Sequence, residues 1–343
     1  MINEINLVFL NTIETEPGAI VGPLARVLGV IFNLIFELFN NDVTIGVALG
    51  FSIILITFLM RSLMLPLSTK SHKSTMKMHR VAPEVDAVKK KYEGRTDAEN
   101  KRKMQMEIQQ LYAKHKVNPL MGCLPMLLTL PVFIGLNHLM RHTFRYVNYI
   151  GNLYENISYQ IINAIPIRDT AGEVIQGNMD FMRQLILPML PNDTYQFSLT
   201  SLSDMSRAVS RFTAEQWESI REFITDPAKL SYLDGLIEQR EVVESFFGLN
   251  MVSIAGFGFP GIIIPLLSVA TTFASSYLMQ KAQRSNDPAQ KMQQKIMLFG
   301  MPLFLGYITS IMPIGVGIFW VTSNIFQMLQ HYALTKYYAN KEL

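Results

Sequence analysis

The sequence predicts an all-α polytopic membrane protein with five transmembrane helices, an outer interfacial amphipathic helix, a cytoplasmic helical hairpin and a helical extracytoplasmic insert. Three observations predict it. Hydrophobic residues make up 49% of the 343 residues and charged residues only 17%, with mean hydropathy +0.21; a soluble chain carries roughly a quarter charged residues. Apolar runs of the length that crosses a bilayer, roughly 20 residues, recur along the chain. The loops between those runs alternate in charge. The same composition excludes a disordered chain. The single cysteine, Cys123, excludes a disulfide scaffold and argues against structural zinc. A net charge of +3 is too small to imply nucleic-acid recognition.

Residues 1–42 are expected outside the membrane. Within them, residues 19–40 have helical period: Arg26, Asn33, Glu37 and Asn40 fall on one face, and Val21, Leu24, Leu28, Ile31, Ile35 and Leu38 on the other. This reads as an amphipathic helix lying in the outer interface, with a sixth span as the rival reading. Glu4 stands where a signal peptide needs positive charge, so no cleavable signal is expected. Residues 43–69 form the first span, with Arg61 the only charge between 43 and 65.

Residues 70–118 read as a cytoplasmic helical hairpin. Val81, Val85, Val88 and Tyr92 make one apolar stripe, and Met104, Ile108, Leu111 and His115 make the other. Gly94 breaks the chain between them, and Thr96 with Glu99 fits a capping box for the second helix. The second span is residues 119–142. The insert, residues 143–250, shows helical patterns at 179–189, 213–224 and 229–246, with Thr213 and Gln216 fitting a second capping box. Residues 146–247 contain no His or Cys and no evident catalytic constellation. The third span is 251–280, followed by a cytoplasmic loop at 281–295. Residues 296–334 hold no Lys, Arg, Asp or Glu; Pro313 and Gly315 divide this run into a fourth span, 296–312, and a fifth, 313–335. Residues 336–343 are a cytoplasmic tail.

Loop charges set the direction. Residues 66–118 hold thirteen basic and six acidic residues, and the loop after the third span adds Lys281, Arg284, Lys291 and Lys295 against Asp287. Residues 141–250 hold nine basic and fourteen acidic residues. Basic loops stay inside, so the N-terminus is expected outside and the C-terminus in the cytoplasm. The Lys-rich hairpin reads either as a solvated face beside anionic lipid or as a docking surface for a targeting factor or a ribosome.

Arg61 is the most informative residue. An Arg near mid-span costs about 2.5–3.5 kcal/mol on insertion scales, and no Asp or Glu lies within a span to pair with it. It must snorkel to the interface or face water inside the protein. Polar walls for such a cavity are available: Thr271, Thr272, Ser275 and Ser276 in the third span, Asn137 and His138 in the second, and Thr322, Ser323, Asn324 and Gln327 beside Trp320 in the fifth. Ordinary helix–helix hydrogen bonding accounts for such residues equally. The chain has 21 methionines, and Met76, Met78, Met104 and Met106 crowd the hairpin. Met is the adaptable side chain of promiscuous binding surfaces, and also a gap-filler in helix packing.

Four stretches resemble the YidC/Oxa/Alb membrane protein insertases: TFLMRSLMLPLSTK at 57–70, NPLMGCLPMLLTLPVFIGL at 118–136, FFGLN at 246–250 with the TTF of 271–273, and GVGIFWVTSNIFQMLQ at 315–330. The form without a large outer β-domain resembles the five-span Gram-positive members, although their usual lipoprotein signal and cysteine are missing and the insert is longer. The resemblance implies a hydrophilic groove open to the cytoplasm and to lipid, carrying Arg61. Client contacts are then expected at Arg61, Thr271, Ser275, Ser276, Trp320 and Asn324, and on the hairpin at Met76, Met78, Met104 and Met106. Ser275 stands where some relatives carry Gln. Nascent membrane proteins are the implied clients and the bilayer the medium. The Sec translocon, the ribosome and the signal recognition particle or its receptor are candidate partners. The implied location is a bacterial plasma membrane. No metal or cofactor is expected, and no Walker-type loop or intramembrane acid/base pair suggests an enzyme. The alternative function is a secondary transporter or anion channel using Arg61 as its binding charge; five spans without an evident inverted repeat argue against it.

Overall fold

The computed structural model describes residues 21–41, 43–95, 97–118, 121, 124–186, 197–280 and 288–339. Glu4, Thr96, Cys123, Lys281, Arg284 and Asp287 lie outside them. The described residues are mostly helical. In chain order the helices are α1 (Val21–Phe39), α2 (Ile45–Leu63), α3 (Leu65–Lys91), α4 (Ala98–Lys114) and α5 (Leu124–Arg141). Then come α6 (Thr143–Tyr146), α7 (Asn148–Ala164), α8 (Gln176–Ile186), α9 (Leu202–Val209), α10 (Ala214–Phe223) and α11 (Pro227–Glu244). A two-stranded hairpin, β1 (Ser245–Phe246) and β2 (Leu249–Asn250), precedes α12 (Ile263–Gln280), α13 (Pro288–Lys295), α14 (Met301–Ser310) and α15 (Ile314–Ala339). Among the described residues, three helical stretches are long and apolar enough to cross a membrane: Gly22–Phe39, Ile45–Leu63 and Ile263–Gln280. The first lies in the helix expected at the interface. The chain divides into two compact units, residues 1–53 with 134–253, and residues 54–133 with 254–343.

In the first unit, α1 has three faces. Ala25, Leu28, Phe32, Ile35 and Phe36 are buried, while Val27, Val30, Leu34 and Leu38 are exposed. Leu38, expected on the apolar face with Leu28 and Ile35, therefore turns outward. The helix is apolar on two sides, and a period count cannot separate a side that meets protein from one that does not. Asn41 starts α2, its side-chain oxygen accepting the N–H groups of Val43 and Thr44 at 3.1 Å.

In residues 143–250, α8, α10 and α11 lie near the expected helical patterns, and the Thr213–Gln216 capping box is present with both bonds. The central helix is α7, which the sequence patterns did not single out. It buries Ile150, Leu153, Tyr154, Ile157 and Ile161 and packs against α9 and α11. The FFGLN stretch is the β-hairpin. Phe247 and Gly248 both have positive φ, +50° and +80°, the backbone of the tight turn that suits paired strands. Phe246 packs edge-on to Phe51 with centroids 5.6 Å apart. Asn250 accepts the N–H groups of Val252 and Ser253 at 3.0 Å and donates to Glu244 at 3.2 Å.

Glu244 also accepts the Tyr154 hydroxyl at 2.6 Å and is 2% exposed. Burial pushes its carboxyl up from the usual range, against the pull of Arg240 nearby. A raised folded-state pKa stabilises the fold below the unfolded pKa, and this contribution is lost as pH rises through the raised value. The unfolding temperature of wild type relative to Glu244→Gln is therefore expected to rise as pH falls toward the ordinary carboxylate range, since the difference between the two isolates this group. Fluorescence of Trp217, in a Trp320→Phe background that leaves it the only tryptophan, reads the transition. A difference between wild type and Glu244→Gln that instead grows in favour of wild type as pH rises contradicts the assignment.

In the second unit, a single residue, Met64, separates α2 from α3. Its φ of −83° and ψ of −5° are near helical. The bonds Met64 N–H to Met60 O at 3.1 Å and Ser68 N–H to Met64 O at 2.9 Å span the break. Pro66 sits at the start of α3, where a missing N–H costs nothing. Helices α3 and α4 form the hairpin. Val81, Val85 and Val117 are its core, with Met78, Ile108, Leu111 and Tyr112 against them. Gly94 turns the chain at φ +80°. Asp97 caps α4, accepting from the Asn100 N–H at 3.0 Å; this is one residue later than the expected Thr96 cap, and Glu99 pairs instead with Lys103 at 2.7 Å.

Helix α12 packs against α14 and α15. Residues 296–300 form a wide π turn before Met301. Pro302, at the start of α14, lacks the N–H that a regular α turn requires here. The chain then turns at residues 311–313. Ala255 donates its N–H to Met312 O at 3.1 Å and Gly256 to Ser310 O at 2.8 Å, clasping this corner. Helix α15 continues to Ala339, four residues beyond the expected end of the fifth span.

Candidate functional site

Arg61 sits in the last turn of α2. It is half-buried beside a shallow recess of about 10 Å³, room for about one water, lined by Met60, Met64, Thr129, Val132 and Phe319. Arg61 and Thr129 alone bring side-chain nitrogen or oxygen to this lining. No hydrogen bond or ion pair joins the guanidinium to a described residue, although an Arg carries five N–H donors. Aromatic pairs join the helices that supply this lining. Phe58 meets Phe326 edge-on at 5.5 Å, linking α2 to α15. Phe133 meets Trp320 edge-on at 5.5 Å.

The next face of α15 makes a polar seam with α12. Trp320 donates its indole N–H to the Thr272 hydroxyl oxygen at 3.1 Å. Asn324 donates to the same oxygen at 2.8 Å and to Thr271 Oγ1 at 3.1 Å. The Thr271 hydroxyl donates to Leu267 O at 2.7 Å. Ser275, one turn further along α12, is buried, and Ser276 is half-buried. Thr271, Thr272, Trp320 and Asn324 are thus brought together, but by bonds to one another. Arg61 shares none of these bonds. It lines the same recess as Phe319, the residue before Trp320.

The hairpin methionines do not share one surface. Met78 belongs to the hairpin core, Met104 is half-buried, Met106 is exposed, and Met76 lines a separate cleft. Toward the hairpin tip the charges are paired. Lys91 donates to Glu107 at 2.9 Å; that hydrogen bond holds the Glu107 carboxyl below its ordinary range and the Lys91 ammonium above. His115 lies 3.1 Å from Glu84.

Two features escaped the sequence. Thr129 was signalled only as a lone hydroxyl in an apolar run. His72 on α3 and His331 on α15, 259 residues apart, lie 3.3 Å apart between Nε2 and Nδ1, with the Thr335 hydroxyl 3.4 Å from His72; nothing local announces such a pair.

A family profile described as "60Kd inner membrane protein" matches residues 39–341. The chain is 26% identical over 297 residues to the ALBINO3-like protein 1, chloroplastic, of Arabidopsis thaliana, covering 87% of this chain and 45% of that protein. It is 24% identical over 289 residues to the membrane protein insertase YidC of Oceanobacillus iheyensis, covering 84% of this chain and 74% of the relative. Over 94 residues it is 43% identical to the membrane protein insertase MisCA of Bacillus subtilis, covering 27% of this chain and 36% of that protein. The chain spans about half the length of the chloroplast relatives it matches.

Proposed function

The chain belongs to the 60Kd inner membrane protein family, the YidC/Oxa/Alb group that its motifs resemble, and on that premise we propose that it inserts membrane proteins into the bilayer and helps them fold. Two of the relatives above carry the name insertase. The observation that carries the reading is Arg61, a half-buried guanidinium in an apolar helix with no partner among the described residues.

The client supplies that partner. A client's outer tail cannot cross hydrocarbon cheaply, because each unsatisfied polar group costs several kcal/mol. The proposed groove runs along α15, with Arg61 and Thr129 on one side and Thr271, Ser275, Ser276, Trp320 and Asn324 on the other. It opens to the cytoplasm and shortens the apolar barrier. Arg61 attracts acidic residues of the tail where the dielectric is low. The client's apolar helix then leaves past α2, α12 and α15 into lipid, and burial of its hydrophobic surface drives release. No bond is made or broken. Five spans, with α1 at the outer interface, residues 143–250 outside and the hairpin in the cytoplasm, complete the arrangement, in a bacterial plasma membrane. The Sec translocon, the ribosome and a targeting factor are its candidate partners.

A photo-crosslinker at Ser276 tests the reading. It is expected to capture ribosome-bound nascent membrane proteins whose first apolar segment has emerged, and not nascent soluble chains. Equal capture of both, together with solute or anion flux through proteoliposomes of the chain, replaces this reading with the transporter one.

A further inference from the structure

His72 and His331 belong to none of the contacts assigned to the groove. His72 lies in the second turn of α3, three residues past the expected end of the first span, and His331 lies in α15, four residues before the expected end of the fifth. Helix α3 packs against α15 and brings His72 Nε2 to 3.3 Å from His331 Nδ1. Thr335, one turn beyond His331 on the same helix face, has its hydroxyl 3.4 Å from that His72 nitrogen. Both rings are half-buried and Thr335 is exposed, so the junction opens to water on the Thr335 side.

A direct hydrogen bond between the rings accounts poorly for this geometry. The nitrogens are further apart than the usual upper limit of about 3.2 Å, and a straight bond of their spacing sets the ring centroids about 5.6 Å apart. The centroids lie 5.0 Å apart and the rings are tilted by 44°, so the two nitrogens converge instead of pointing end to end. Two imidazole nitrogens bound to one tetrahedral ion are about 3.3–3.4 Å apart, and their ring centroids about 5.2 Å. The His331 ring also hydrogen-bonds the Leu278 backbone on α12, the kind of outer contact that fixes the tautomer and aim of a ligating imidazole. Burial holds the His72 imidazole below its ordinary range, and repulsion from a protonated His331 acts in the same direction; the neutral ring is the form that ligates. A second pair, His138 and His142, differs. Its rings stack with centroids 4.4 Å apart, and His142 Nδ1 donates to His138 O at 3.0 Å, so the pair does not aim two lone pairs at one point.

We infer that His72 and His331 form a binding site for a divalent transition-metal ion of the zinc class, with Thr335 placed to hold a water on the ion. Imidazole suits zinc, copper and nickel, and the tetrahedral spacing of the nitrogens selects zinc among them. The inference is independent of the insertase reading. Two protein ligands leave water in the remaining positions, so the ion is held at roughly micromolar strength and exchanges, unlike the ion of a closed four-ligand site. Lys70, Lys73 and Lys336, close by in sequence, repel a dication and weaken binding further at low salt. The bound ion ties the base of α3 to α15 and fixes the root of the hairpin against the last span.

The test uses the full chain in phosphatidylcholine nanodiscs and Zn²⁺ itself, titrated in competition with a chelating dye. Wild type is expected to bind one more ion per chain than His72→Gln/His331→Gln, and each single Gln variant to bind that ion roughly tenfold or more weakly. The unfolding temperature of wild type is expected to rise with zinc by mass action, and that of the double variant to stay level. His142→Gln is expected to keep the ion; its loss there assigns the zinc to the His138–His142 pair and overturns the inference, as does equal binding by wild type and the double variant. A second measurement needs no substitution and so does not depend on a variant folding. Zinc is expected to protect His72 and His331 of wild type from diethyl pyrocarbonate, read residue by residue by mass spectrometry, and modification of both rings unchanged by zinc refutes the site.

Discussion

Arg61→Glu is expected to reduce insertion of a client with an acidic outer tail to background, with Arg61→Ala intermediate and Arg61→Lys retaining most activity. A guanidinium and a carboxylate about 4 Å apart attract by about 4 kcal/mol at an effective dielectric near 20. Losing even half of that is more than a tenfold effect, and reversing the charge adds repulsion of similar size. The effect is expected to depend on the client: one with a neutral tail loses little, and one with a basic tail gains in the Glu variant. Protease protection of the tail in vesicles, normalised to the amount of each variant in the membrane, measures it. Undiminished insertion of the acidic-tail client by a well-expressed Glu variant would falsify the proposed attraction. The Lys variant separates charge from geometry, since Lys offers a point charge without the planar fork.

The second large effect is structural. A Cβ at Gly317 collides with Ile264 Cγ2 and Thr309 Cγ2, so α15 meets α12 and α14 through a gap only hydrogen fits. Overpacking of a tight interface costs about 1–3 kcal/mol, and Gly317→Val is expected to exceed Gly317→Ala. The same interface carries the Thr272–Trp320 and Thr272–Asn324 bonds, so both variants are expected to lose insertion in step with their fall in unfolding temperature. Gly235→Ala is the contrast. Nothing lies within 4 Å of its added Cβ, and helix propensity favours Ala by up to about 1 kcal/mol. It is expected to raise the unfolding temperature slightly. Equal tolerance of Gly317→Val and Gly235→Ala refutes the packing argument.

Features announced by a mismatch between residue and surroundings were readable before any coordinates. Arg61 stood out because charge in an apolar run is costly, and the hairpin because Val81, Val85 and Val88 repeat on one side of a polar helix. What stayed hidden depends on partners far away in sequence. The types of Thr272, Trp320 and Asn324 were visible, but their bonds join positions 48 and 52 residues apart, and no local pattern sets the register of α15 on α12. Apolar period also loses meaning where both protein and lipid reward apolar side chains, as on α1, where Leu38 faces out. Helix α7 went unnoticed for a related reason: Ser158 sits among its buried residues, its hydroxyl turned back to Tyr154 O at 2.7 Å, and breaks the apolar stripe.

The near-helical joint at Met64 makes α2 and α3 almost one rod. Helix α3 has 27 residues, about 40 Å at 1.5 Å per residue, while Arg61 sits three residues from the joint. With so little slack at the pivot, a small swing of the hairpin tip twists the final turn of α2 and re-aims its guanidinium. Whatever grips the tip therefore holds a long handle on a charge it never touches.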